Sequence, residues 1–79
     1  MRSKSLKDYK VIIASDVNQR NGIGIEIWNW DENKILIEIF RDDENEAYTI
    51  SLFEKELPLN LIEECIERFR KEISSTFQK

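Results

Sequence analysis

Apolar residues recur at every second position through the middle of the chain and at every third or fourth position near its end. Ile23, Ile25 and Ile27 alternate with Gly24, Glu26 and Trp28, and Trp30 extends the second series. Beyond Asp31-Glu32-Asn33, Ile35, Ile37 and Ile39 alternate with Leu36, Glu38 and Phe40. A period of two belongs to a strand with one buried face, so residues 23–30 and 34–41 are expected to be strands. The run Tyr9-Lys10-Val11-Ile12-Ile13-Ala14 predicts another over 9–14. Residues 47–53 predict a fourth, with Tyr48, Ile50 and Leu52 on one side and Thr49, Ser51 and Phe53 on the other. Turns are expected at Asn18-Gln19-Arg20-Asn21-Gly22, at Asp31-Glu32-Asn33 and across the acidic loop 42–46. Asn21-Gly22 is the strongest of these signals, because both residue types tolerate positive φ.

Register follows from the same period. The isoleucines of the second and third strands share a face only if paired residue numbers sum to an even value. A loop of Asp31, Glu32 and Asn33 satisfies this and pairs Ile27 with Ile37 and Ile25 with Ile39. It also sets Glu26 opposite Glu38, a mildly unfavourable pair. Sliding the loop by one residue would relieve that pair but set Ile25 against Arg41, which costs more apolar contact.

After Pro58 the period changes. Leu59, Ile62, Ile66, Phe69 and Ile73 recur at helical spacing, and Phe77 continues the series. Asn60 and Glu63 fit the first and fourth positions of a capping box, and Pro58 alternatively fits the first helical position. Glu63 and Glu64 fall early in the helix and Arg68, Arg70 and Lys71 late, which suits the helix dipole. Glu64 with Arg68, and Glu67 with Lys71, make favourable pairs on the outer face. The expected fold is therefore α+β: a four-stranded antiparallel meander followed by one C-terminal amphipathic helix packed on one face. Residues 9–79 form a single domain, and residues 1–8, which lack periodicity, form a flexible basic tail.

Composition sharpens the picture in a few places. A chain of 79 residues is one domain with a thin core. Its formal net charge is −4, yet residues 1–10 carry +3, which leaves −7 for the rest. An acidic body repels phosphate at long range, which disfavours a nucleic-acid partner. Cys65 is the only cysteine, so no intramolecular disulfide framework exists, and a cysteine-based zinc site has too few ligands. No apolar stretch approaches the ~20 residues needed to span a bilayer, and the expected location is cytoplasmic.

Histidine is absent, which removes the usual general base and the commonest metal ligand together. Cys65 lies beside the apolar stripe of the helix and reads as a buried structural thiol. Asp16, Asn18 and Arg20 occupy the first, third and fifth positions of a calcium-loop pattern. Arg20 cannot ligate a cation, and Ile27 stands where the closing glutamate belongs, so the match fails. Glu26 and Glu38 could act as an acid and base only in a cleft that holds them apart, and an open sheet offers none. Gly22 and Gly24 precede a strand and not a helix N-terminus, which excludes a phosphate loop. No catalytic residue, cofactor, metal or small-molecule substrate is expected.

What remains is the face of the sheet turned away from the helix. Trp28, Trp30, Leu36 and Phe40 are expected there, joined in one arrangement by Ile50 and Leu52. Contiguous apolar area of this kind marks interaction sites, and aromatic residues anchor interface cores. Those four residues are the candidate interaction surface, for a homodimer or a protein partner.

Two resemblances bear on this. Strands over 9–53, a helix over 58–73, and Trp28, Trp30 and Phe40 as stacking platforms resemble, in topology, the Whirly and positive-cofactor-four family of single-strand-binding proteins. That likeness implies binding of single-stranded nucleic acid on the β-surface and dimerisation through helices, although Glu26 and Glu38 stand where such a surface carries Lys or Arg. The stretches Ile23-Gly24-Ile25-Glu26-Ile27-Trp28 and Ile37-Glu38-Ile39-Phe40-Arg41-Asp42-Asp43 look like those of small acidic bacterial proteins, among them immunity proteins that neutralise toxin domains. The expected function is a non-enzymatic protein-interaction module; the alternative is a single-stranded nucleic-acid-binding module.

Overall fold

The alternating segments assemble, in chain order, into one antiparallel sheet of β1 (Lys10–Asp16), β2 (Gly22–Asn29), β3 (Lys34–Asp42) and β4 (Ala47–Leu52). One helix, α1 (Leu59–Glu72), follows and packs against it. The architecture is α+β, a four-stranded meander closed by a C-terminal helix. This computed structural model describes residues 5–16, 21–74 and 76–77. The expected turn residues Asn18, Gln19 and Arg20 lie outside the described residues, as do residues 1–4 of the expected tail.

The isoleucine face is the covered one. Ile25, Ile27, Ile37 and Ile39 meet Leu61, Cys65, Phe69 and Ile73 of the helical segment in one buried cluster. Each fully buried large side chain there contributes about 1.5–3 kcal/mol, so this small interface carries most of the stability. The register between β2 and β3 pairs Ile25 with Ile39, Ile27 with Ile37 and Glu26 with Glu38, as the even-sum rule requires.

Past Ile27 the register slips. Trp28 pairs with Ile35 and Asn29 with Lys34, so Leu36 is an extra residue in β3 and the connecting turn spans 30–33. This β-bulge turns Leu36 into the core, where it is 5% exposed, and places Ile35 on the Trp28 side. Leu36 was expected on the outer face and Ile35 in the core; the bulge exchanges them. Asn33 takes φ 50° in that turn and Glu46 φ 51° before β4.

Gly22 is not a turn residue with positive φ. It opens β2, paired with Asp16 on one side and Asp42 on the other. Its lack of a side chain serves packing: a Cβ there would strike the Arg41 carbonyl oxygen and approach the Phe40 ring to 2.7 Å. At Gly24 a Cβ would strike the Ile39 carbonyl and approach the same ring to 3.0 Å.

The helix begins one residue after Pro58, which itself stands at the cap position without a side-chain hydrogen bond. Asn60 therefore lies inside the first turn and forms no capping box, and that turn holds no acidic residue. The buried stripe is Leu61, Cys65 and Phe69, continued by Ile73. It is rotated from the expected one: Leu59 is exposed and Ile66 is largely so, while Ile62 packs at the rim. At the other end of the chain, Leu6–Asp8 form a 3-10 turn, with the Asp8 carboxylate accepting from the Ser5 N–H at 2.9 Å. Leu6 joins the core, so this part of the expected tail is a plug beside α1. No helix among the described residues is long and apolar enough to cross a membrane.

Candidate interaction surface

The face turned away from α1 is less apolar than its sequence suggests. Leu36 has left it through the bulge, and Phe40 is 2% exposed because its ring lies down on Gly22 and Gly24. Register places Phe40 directly opposite Gly24, and an aromatic ring laid across a strand glycine shields both. Neither residue can anchor a partner, which corrects two of the four candidates. Trp28 is half-buried, and its indole Nε1 donates to Glu26 Oε1 at 3.0 Å. Trp30 is 63% exposed. The Lys10 ammonium lies 5.4 Å from the Trp28 ring and 5.6 Å from the Trp30 ring, so the two indoles share one cation.

Glu26 and Glu38 do face one another across β2 and β3. They line a depression of about 170 Å³ with Ser15, Asp16 and Phe40. Small-molecule sites usually begin near ~300 Å³, so this is a dimple between strands and not a cleft. Among the described residues, no group of three or more acidic or cysteine side chains is placed to hold a metal ion. Cys65 is fully buried, and removal from water, with Glu64 nearby, pushes its thiol from 9.0 up to about 11.

Most of the exposed apolar surface lies elsewhere, along and beside the edge strand β4. Ile50 pairs with Ile39 and Leu52 with Ile37, so both sit on the helix side of the sheet and not beside the tryptophans. The helix covers β2 and β3 but does not reach over β4: Ile50 is 46% and Leu52 51% exposed, with Tyr48, Phe53 and Ile66 also open. Between β4 and α1 runs a groove of about 170 Å³, walled by Tyr48, Ile50, Ile66, Phe69 and Arg70. Tyr48 meets Phe69 edge-on at 6.0 Å and Phe77 at 5.1 Å, and the Arg70 guanidinium stands 5.4 Å over its ring.

The backbone of β4 points the same way. Phe53 N–H donates to the Leu36 carbonyl at 2.9 Å, which directs the odd-numbered residues of this strand toward β3. By alternation, Ile50 and Leu52 aim their N–H and C=O groups off the edge of the sheet. Residues 47–52 contain no charge and no proline, the devices that usually blunt an edge, whereas β1 is bounded by Lys10 and Asp16. That signal was legible in the sequence. What concealed it was the unknown pairing of β3 with β4, without which Ile50 and Leu52 could be assigned to either face.

One polar cluster at the end of the core is structural. Arg41 Nε and Nη2 contact the two Asp43 carboxylate oxygens at 2.8 and 3.3 Å, and Nη1 donates to the Ser74 carbonyl at 2.7 Å. Both side chains are buried. The cluster ties the end of β3 to the chain leaving α1. Comparison with known protein families, curated proteins and solved structures finds no match to this chain.

Proposed function

We propose that this protein is a non-enzymatic interaction module that binds an extended protein strand along β4. The observation that carries this reading is an uncharged edge strand whose outward Ile50 and Leu52 stand beside an open apolar groove. Strand addition supplies backbone hydrogen bonds for affinity, and pockets for alternate side chains supply selectivity. Tyr48, Ile50 and Ile66 offer such a pocket on one face, and Arg70 at its end favours an acidic or carboxyl group there.

Selection of heptapeptides from a random displayed library tests this. Extended, alternately apolar peptides are expected, with binding lost in Ile50→Lys and kept in Trp30→Ser. Enrichment that depends on Trp30, or failure to enrich any peptide by a chain that is monomeric at the selection concentration, overturns it.

A second reading places single-stranded nucleic acid across Trp28 and Trp30. In its favour, Trp30 is exposed and Lys10 lies over both rings. Against it, Asp31 and Glu32 flank the site and Glu26 occupies the Trp28 indole. Titration with an oligonucleotide at low salt, followed by tryptophan fluorescence, separates the two; quenching that weakens steeply with salt supports the second.

A further inference from the structure

We infer that the strand received by β4 is the β4 of a second copy of this chain, paired antiparallel with Ile50 on the two-fold axis. This rests on the strand-binding reading above and names its partner. A two-fold axis perpendicular to the sheet reverses strand direction and keeps both helices on one face. Matching faces then requires paired residue numbers with an even sum.

Centring the axis on Ile50 sets that residue against its own copy, Tyr48 against Leu52 of the partner subunit, and Thr49 against Ser51 of the partner subunit. Apolar meets apolar on the helix side, and hydroxyl meets hydroxyl on the other. Moving the axis to Thr49 would set Leu52 against Glu46 of the partner subunit. Moving it to Ser51 would set Tyr48 against Glu54 of the partner subunit. The strand is thus self-complementary about one centre.

Backbone direction agrees with that centre. Ile50 and Leu52 face outward, so Ile50 exchanges both of its backbone hydrogen bonds with Ile50 of the partner subunit, as a directly opposed antiparallel pair does. The centre brings Glu46 near Glu54 of the partner subunit only beyond the strand, where Lys34 already holds Glu54 at 2.5 Å. Strand pairing takes the half-exposed Tyr48, Ile50 and Leu52 of both copies out of water together with their backbone, toward the ~1,000 Å² total at which specific interfaces begin. The result is one continuous eight-stranded sheet with a helix on each half of the same face, and no β4 edge left open.

Sedimentation equilibrium over a range of concentrations tests this, with circular dichroism as the check on folding. Wild type is expected to be a dimer, and Ile50→Lys to weaken it at least ~50-fold while keeping the wild-type spectrum. The register is read separately in a Cys65→Ala background: Ile50→Cys is expected to oxidise to a covalent dimer, and Leu52→Cys is not. A dimer that Ile50→Lys leaves intact, or that crosslinks through Leu52→Cys and not Ile50→Cys, overturns the inference. A wild-type monomer that still binds the selected peptides overturns the inference alone; a monomer that binds none overturns the strand-binding reading with it.

Discussion

Gly24 and Phe40 make a single unit of packing. The ring fills the space two side chains would otherwise contest, so a methyl group at position 24 meets both the Ile39 carbonyl and the ring. Gly24→Ala is expected to cost about 1–3 kcal/mol, the usual range for overpacking, read as a lower urea midpoint with unchanged slope. Phe40→Ala removes the cover instead and is expected to cost about 3–5 kcal/mol. Cys65 gives a prediction in pH. Its folded thiol titrates at about 11, above the ordinary 9.0, mainly because burial disfavours the thiolate and secondarily because of Glu64. Between those values the unfolded chain has lost a proton that the folded chain retains. Stability is therefore fully present below about pH 9 and declines as pH rises toward 11. Urea midpoints from pH 8 to 10 should fall more steeply in wild type than in Cys65→Ala, and parallel curves would remove the effect.

Among the elements, the strands follow their alternation and the helix does not follow its own closely. The period of two in β2 and β3 fixes which residues can share a face, so Ile25 with Ile39 and Ile27 with Ile37 are legible from the chain alone. The same register sets Phe40 opposite Gly24, a consequence that was available to sequence reasoning and bears directly on the candidate surface. The bulge was not available, because Ile35, Leu36 and Ile37 are all apolar and binary pattern cannot choose which to turn inward. Helix rotation was equally open: Leu59, Ile62 and Ile66 make one stripe, Leu61 and Cys65 another, and both share Phe69 and Ile73. Contact with the sheet selects the second. The end of that contact is fixed by Arg41, which reaches from β3 to Asp43 and to the Ser74 carbonyl. Arg41→Ala takes the guanidinium from a buried carboxylate and is expected to cost about 3–5 kcal/mol in denaturant unfolding. Arg41→Lys should recover little, since an ammonium cannot hold a carboxylate in two places and a carbonyl as well. Replacing the pair together, Arg41→Met with Asp43→Leu, should recover much of the loss.

At the scale of the molecule, one helix is too narrow for a four-stranded sheet. It covers the two central strands, and most of the surplus apolar surface emerges at the β4 edge, with Ile13 open on β1 and Trp30 on the opposite side. The whole-chain charge of −4 then sets the sign of a salt effect. Two acidic copies repel, and screening relieves that repulsion, so self-association through β4 should tighten modestly from low to physiological salt. Nucleic-acid binding across Trp30 has the opposite sign, because displaced counterions favour low salt. Sedimentation at two ionic strengths distinguishes them, and association that weakens with salt counts against the β4 pair.

The sequence by itself determined the number and order of the strands and the helix, the antiparallel meander, the inward isoleucines and the isolation of Cys65. Each of these depends on local period or on residue type, which survive without knowledge of neighbours. Tertiary structure alone decided the bulge at Leu36, the rotation of α1, the burial of Phe40 over two glycines and the emergence of Ile50 and Leu52 beside the helix. Those depend on which of several apolar options fits against another element, and close packing makes that choice only once both surfaces are present.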